Sequence, residues 1–303
     1  MRRHCTIALL IAGLLLVSGC SGDSTAPMLA SVPTAPTAVV PDVVAPQGLT
    51  VSGRVYDTAH RPLAGATVEV LNGADAGLST MANANGQYWL TGAFDGDTRF
   101  RATLHGYGEA LAPLSAPCPQ CNPRHWVYFY LGLPVAPADI AGHYTLTVIA
   151  DDSCRMLPAE VRTRTYSASI VAQPNQPTAA DTRFVATIGG GSVLPGLSWP
   201  DLGIAVAGDY LELSMGDFHG QPAVVERVHD NAFLAFGGGG TTTVGAGPVS
   251  TITATFEGAI EYCVLPPGMS PIVDSRYACA APHADTHAVC DARGHQLILR
   301  RNN

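Results

Sequence analysis

Ala84-Asn85-Gly86-Gln87-Tyr88-Trp89-Leu90 sets an Asn-Gly pair directly ahead of an aromatic alternating run, a strong short-range signal for a turn leading into a β-strand. Gly86 supplies the positive φ that a residue with a β-carbon resists. Upstream, Thr50–Tyr56 alternates, Asp57–Pro62 reads as a turn, and Ala66–Val70 alternates again. Downstream, Thr98–Leu104 and His125–Leu131 add two more strands. Seven or so strands within 49–133, about 85 residues, is the economy of a small β-sandwich rather than of a helical or parallel-sheet domain.

A short Pro/Ala joint, Val135–Asp139, leads to a second region at 142–301. Its strand candidates are Tyr144–Ala150, Thr163–Ala172, Arg183–Ile188, Tyr210–Met215, Ala223–Val228, Ala232–Phe236, Ser250–Tyr262 and Gln296–Arg300. Eight mostly sequential strands joined by turns predict an antiparallel up-and-down β-barrel or a two-sheet sandwich. Gly189–Gly191 and Gly237–Gly240 fall between these candidates and read as flexible turns. The fold class is therefore all-β throughout.

The 16 basic residues are all arginine, which excludes a phosphate-cradling P-loop lysine, a Schiff base and a serine–lysine dyad. The net charge of −8 and the scatter of the arginines make nucleic acid a poor partner, because no basic cluster stands ready to neutralise phosphates. A generic polyanion is disfavoured for the same reason.

Arg2 and Arg3, the apolar run Thr6–Leu16 and Val17-Ser18-Gly19-Cys20 together resemble a bacterial lipoprotein signal ending in a lipobox. The resemblance implies that residues 1–19 are removed, that Cys20 becomes the acylated first residue, and that the mature protein meets the membrane through its lipid. With Arg2 and Arg3 gone the net charge becomes −10. Ser21 in place of Asp implies sorting to the outer membrane, facing the periplasm or the exterior. The segment 20–48 holds Pro27, Pro33, Pro36, Pro41 and Pro46, a density that blocks ladders and suits an extended stalk.

The order Val51-x-Gly53-x-Val55-x-Asp57, Pro62-Leu63-x-Gly65-Ala66-x-Val68, Asn85-Gly86-x-Tyr88-x-Leu90 and Gly106-Tyr107 resembles the carboxypeptidase regulatory-like domain. That resemblance implies a prealbumin-like β-sandwich that is itself non-catalytic and is often grouped with carbohydrate-binding-like folds. Leu157–Tyr166 is similar to a motif of uncharacterised bacterial exported β domains, which implies a fold and no activity.

Without Cys5 and Cys20, six cysteines remain in an oxidising compartment, and the simplest reading is three disulfides. Cys118-Pro119-Gln120-Cys121 reads as a local clip, since a strand rather than a helix follows it. Four cysteines then admit three pairings. In a closed antiparallel barrel with an even strand count, the end of the first strand lies near the start of the last, which pairs Cys154 with Cys290 and leaves Cys263 with Cys279.

The rival for those residues is metal. Cys279, His283, Asp285, His287, Cys290 and His295 fall within seventeen residues, but the spacing matches no standard zinc motif. Metal through His283, His287 and His295 is kept as the alternative, in which the protein is a metal-dependent hydrolase. Asp151 with Asp152, and Glu257 with Glu261, are the candidate carboxylate pairs. Trp126, Tyr128 and Tyr130 share one face of their strand, opposite Val127 and Phe129, and are the candidate ligand-binding aromatics. No catalytic residue and no cofactor is assigned. The expectation is a non-catalytic outer-membrane lipoprotein that binds or scaffolds, with a glycan or a cell-envelope protein as partner.

Overall fold

The computed structural model describes residues 48–114, 125–173, 183–194, 201–216, 224–245, 248–271 and 285–302. Cys20, the proline-rich segment up to residue 47, Cys118, Cys121, Cys279 and His283 lie outside the described residues.

Seven strands build the first half: β1 (Leu49–Asp57), β2 (Thr67–Val70), β3 (Ser79–Met81), β4 (Gln87–Gly92), β5 (Arg99–Thr103), β6 (Ala110–Pro113) and β7 (His125–Leu131). They form a three-stranded sheet, β4-β1-β7, and a four-stranded sheet, β3-β2-β5-β6. Alternation decides which side chains meet between them: Val51, Val55, Tyr88, Leu90, Val127, Phe129 and Leu131 face Val68, Val70, Phe100 and Ala102 in one core. Gly86 has φ +70° in the turn before β4, and a β-carbon there would lie 2.5 Å from the carbonyl oxygen of Val55. β1 pairs antiparallel with β4 but parallel with β7, a strand that returns about 70 residues later. β3 and β6, three and four residues long, were not foreseen as strands; such short edge strands carry too few positions to show a period.

The second half holds β8 (Gly142–Ile149), β9 (Thr163–Ala172), β10 (Arg183–Gly189), β11 (Asp201–Ala207), β12 (Tyr210–Met215), β13 (Val224–His229), β14 (Ala232–Thr243), β15 (Thr251–Val264) and β16 (Thr286–Arg301). Pairing β8-β9-β10-β11-β12-β14-β15-β16 and back to β8 closes an eight-stranded barrel. Its interior is filled by alternate side chains, among them Tyr144, Leu146, Val148, Tyr166, Ile170, Leu213, Phe236, Phe256, Leu297 and Leu299. The alternative of a two-sheet sandwich is thereby resolved in favour of the barrel.

Three details correct the sequence reading. β11 is a stave that the sequence reading missed, because Gly203, Ala205 and Ala207 on its outer face blur the alternation with Leu202, Ile204 and Val206. The candidate at Ala223–Val228 forms β13, which is not a stave: it pairs with the first half of β14, whose second half pairs with β12, and among the described residues its other side makes a single bridge, Glu226 to Val193. Gly237–Gly240 are strand rather than turn, inside β14. They are needed for close approach to β15: a β-carbon on Gly238 would lie 2.3 Å from the Glu257 carbonyl oxygen, and one on Gly258 would lie 2.1 Å from that of Gly237.

The sandwich seats on the outer face of β11. Across β10, β11 and β12, Arg183, Ala205 and Glu212 stand in one row, and Ala205 leaves a notch between two long side chains. The turn after β1 fills that notch. Asp57, fully buried, shapes the turn by accepting from the backbone N–H groups of Ala59 and Arg61 at 2.9 Å and from Arg61 Nε at 2.6 Å. Thr58 Oγ1 donates to the Val206 carbonyl at 2.7 Å, and the Arg61 guanidinium lies 4.4 Å from the centre of the Tyr210 ring. His60, at φ +59°, is held between Glu212, which pairs with Nδ1, and Arg183, which donates to Nε2 at 3.1 Å. Because an arginine can only donate, Nε2 accepts and Nδ1 carries the proton given to Glu212.

Candidate functional site

The core takes one side of β4-β1-β7; the other side collects aromatic rings. The registers Ser52↔Trp89 and Ser52↔Trp126 set two indoles on either side of a buried serine. The next row is Gln87, Arg54 and Tyr128, and the one after it Tyr56 beside Tyr130. Trp89 is 54% exposed, and Trp126 and Tyr128 are each 48% exposed, whereas Val127 and Phe129 are buried. The Trp126 and Tyr128 rings lie 6.2 Å apart and within 10° of parallel; Tyr56 and Tyr130 lie 5.9 Å apart at 20°. Arg54 Nη1 donates to the Tyr56 hydroxyl at 3.0 Å, and the Arg183 guanidinium sits 5.8 Å over the Tyr130 ring. Burial raises the Tyr130 phenol above its usual value, so it remains a hydroxyl donor. Near-parallel rings interleaved with guanidinium and amide groups suit a ligand with an apolar face and a polar edge.

The sulfur and imidazole candidates sit elsewhere. Cys154, just past β8, is joined to Cys290 on β16 with their Cα atoms 5.4 Å apart, so the bond ties the first stave to the last. Cys263 is buried and disulfide-bonded. His295 is fully buried against Phe256, its Nδ1 accepts the Asp151 backbone N–H at 3.1 Å, and burial holds its pKa below the usual imidazole value. His287 is a different site: its Nε2 lies 2.7 Å from Glu261 Oε1. Eight residues of strand, roughly 26 Å, separate the two histidines along β16, so they do not share a metal. Cys154, Cys290 and His295 are the one group of three possible ligands within 4.8 Å among the described residues, and their two sulfurs are engaged with each other.

Of the candidate carboxylates, Asp151, Glu257 and Glu261 are also engaged. Asp151 accepts from Ser153 N at 2.8 Å and Ser153 Oγ at 2.5 Å, which holds it below the usual carboxylate value. It borders a cleft of about 490 Å³ with Asp152, Arg155 and Arg162. Arg162 is turned to the backbone there, donating to the carbonyls of Leu157 and Arg155 at 2.9 and 2.8 Å. Glu257 meets Arg293 at 3.2 Å, while Glu261 meets His287.

Sequence reasoning identified the face of β7 but missed Ser52, Arg54 and Arg183 as its neighbours. The alternation of β1 already put Ser52, Arg54 and Tyr56 on one side; what no local signal reveals is the parallel pairing that lays them beside Trp126–Tyr130. Residues 50–116 match the family model of the carboxypeptidase regulatory-like domain, which spans β1–β6 and stops short of β7. Nothing among curated proteins matches the chain.

Proposed function

We propose that this protein is a non-catalytic lipoprotein of the outer membrane that binds carbohydrate on the outer face of β4-β1-β7. The observation that carries the reading is the half-exposed row of Trp89, Trp126 and Tyr128, set side by side by strand pairing on a sheet whose other side supplies the core. Large rings left in water at this density mark an interaction surface rather than a packing remainder. Stacking against the apolar face of a pyranose uses ring planes of this kind, and Gln87, Arg54 and Ser52 stand beside them to meet hydroxyl groups. The lipobox at Cys20 supports tethering, and the proline-rich segment behind it supports a stalk that carries the face away from the bilayer.

Detergent-solubilised full chain, titrated calorimetrically against a panel of soluble bacterial and plant polysaccharides, tests this. Trp126→Ala and Trp89→Ala are each expected to weaken binding about 10-fold, since aromatic stacking on one ring is worth roughly 1–1.5 kcal/mol. Binding that survives the double substitution, or no binding to any glycan, overturns the reading.

A further inference from the structure

The aromatic face carries charged groups as well as rings. Counted along β1, its outer rows run Thr50, Ser52, Arg54, Tyr56 and then the His60 turn, flanked by Thr91, Trp89 and Gln87 on one side and by Trp126, Tyr128 and Tyr130 on the other. Arg54 lies near the middle of this strip and Arg183, from the barrel, at its end. Among the described residues neither meets a carboxylate at ion-pair distance: Arg54 donates to Tyr56 and Arg183 to His60. Four other arginines, Arg61, Arg101, Arg164 and Arg293, are each matched by an Asp or Glu; among the described residues Arg99, Arg155, Arg162, Arg227, Arg300 and Arg301 are not, and what sets Arg54 and Arg183 apart is their place beside the rings of β7. At the end of the strip the Glu212 carboxylate is bound to His60.

We infer that the glycan taken by this face is acidic, carrying carboxylates of the uronic-acid kind, and that the barrel completes the site by contributing Arg183. This rests on the carbohydrate reading above. A guanidinium offers five N–H donors in a planar fork that matches a carboxylate, and one donor used leaves a fork free. Arg54 stands across from Tyr128 and Arg183 over Tyr130, so an oligosaccharide stacked on Trp126 and Tyr128 brings its carboxylates within their reach. From Ser52 to Tyr56 the strip covers roughly 13 Å of strand before it reaches the barrel, which fits an oligosaccharide rather than a single sugar. The acidic net charge of the chain does not oppose this at contact range, because at physiological salt charges more than about 8 Å away are screened. Arginines scattered along the sequence are gathered by the fold.

The test compares polygalacturonate with its carboxyl-reduced, neutral counterpart, titrated into the full chain. The acidic polymer is expected to bind about 10-fold tighter, and the difference is expected to shrink as salt is raised. Arg54→Gln and Arg183→Gln should each lower acidic-polymer affinity about 3- to 10-fold and narrow the gap between the acidic and the neutral polymer. Arg183→Lys, which keeps the charge and loses the fork, should fall between wild type and Arg183→Gln; this separates ligand contact from any loosening of the His60 turn, which melting temperature reports. Equal affinity for the two polymers, with Trp126→Ala abolishing both, refutes acid selectivity while the carbohydrate reading stands. An effect of Arg54→Gln alone refutes the barrel's part. Binding to neither polymer, with another glycan bound through Trp126, also refutes the inference; no glycan bound at all removes both readings.

Discussion

Replacing Cys154 and Cys290 together by alanine should lower the stability of the barrel by about 5 kcal/mol. The two residues are 136 apart in sequence, and closing a loop of that length removes about 17 cal/mol/K of entropy from the unfolded chain at 25 °C. The native state gains little from the bond, because six register pairs, Tyr144–Ile149 against Gln296–Arg301, already hold β8 to β16. The effect therefore lives in the unfolded ensemble, which becomes larger without the cross-link. Equilibrium urea unfolding, read by hydrogen exchange of the β8 and β16 amides, isolates the barrel from the sandwich. The midpoint should fall and the slope should rise, since an uncross-linked chain exposes more surface on unfolding. A loss below about 1 kcal/mol with an unchanged slope would refute the loop-entropy argument, and would mean that the unfolded chain keeps β8 near β16 without the bond.

Two other predictions concern single side chains. Burial depresses His295, so between its folded value and the unfolded value of about 6.5 the unfolded chain binds more protons; its contribution is complete above that value and is lost as pH falls below it. Wild-type melting temperature should therefore drop between pH 7 and 5 while His295→Asn shows a flatter profile, and equal slopes would dismiss the account; the Asp151 contribution is lost only below about pH 4, in a separate window. Ala205→Leu should fill the notch between Arg183 and Glu212 and displace the Asp57–Pro62 turn at a cost of about 1–3 kcal/mol. Faster proteolysis at the Val135–Asp139 joint, with the β8–β16 amides still protected, is the expected readout, and an unchanged cleavage rate would count against it.

What could be read from the sequence was local. Alternation assigned the faces of β1, β4 and β7, so the split between Trp126 and Tyr128 outside and Val127 and Phe129 inside followed from period alone. The number of barrel strands came out at eight through two offsetting errors. β11 was missed because its outer residues are glycine and alanine, small where the sandwich seats; β13 was counted because Val224, Val225 and Val228 carry the β-branched signal of a strand, which does not distinguish a stave from a strand outside the barrel. Gly237–Gly240 looked like a turn because glycine runs usually are, and only the 2.1–2.3 Å approaches across β14 and β15 explain them. The misreadings of β11 and of Gly237–Gly240 have one cause. Close backbone contact and domain seating select small residues, and small residues erase the hydrophobic period that sequence reading depends on.

The site was half legible for a related reason. The rings of β7 announce themselves, but their polar neighbours belong to β1, β10 and the turn after β1, brought in by a parallel pairing and by a notch at Ala205. The stretch matching the regulatory-like domain ends before β7, so the aromatic face of this sheet depends on a strand that the match does not include. The strip also ends on the barrel, through Arg183. The geometry thus assigns the barrel a second task besides folding: through β10, β11 and β12 it fixes the turn carrying His60, and with it the end of the aromatic strip. A sandwich separated from its barrel would keep Trp89, Trp126 and Tyr128 on its sheet and lose the cation that follows them.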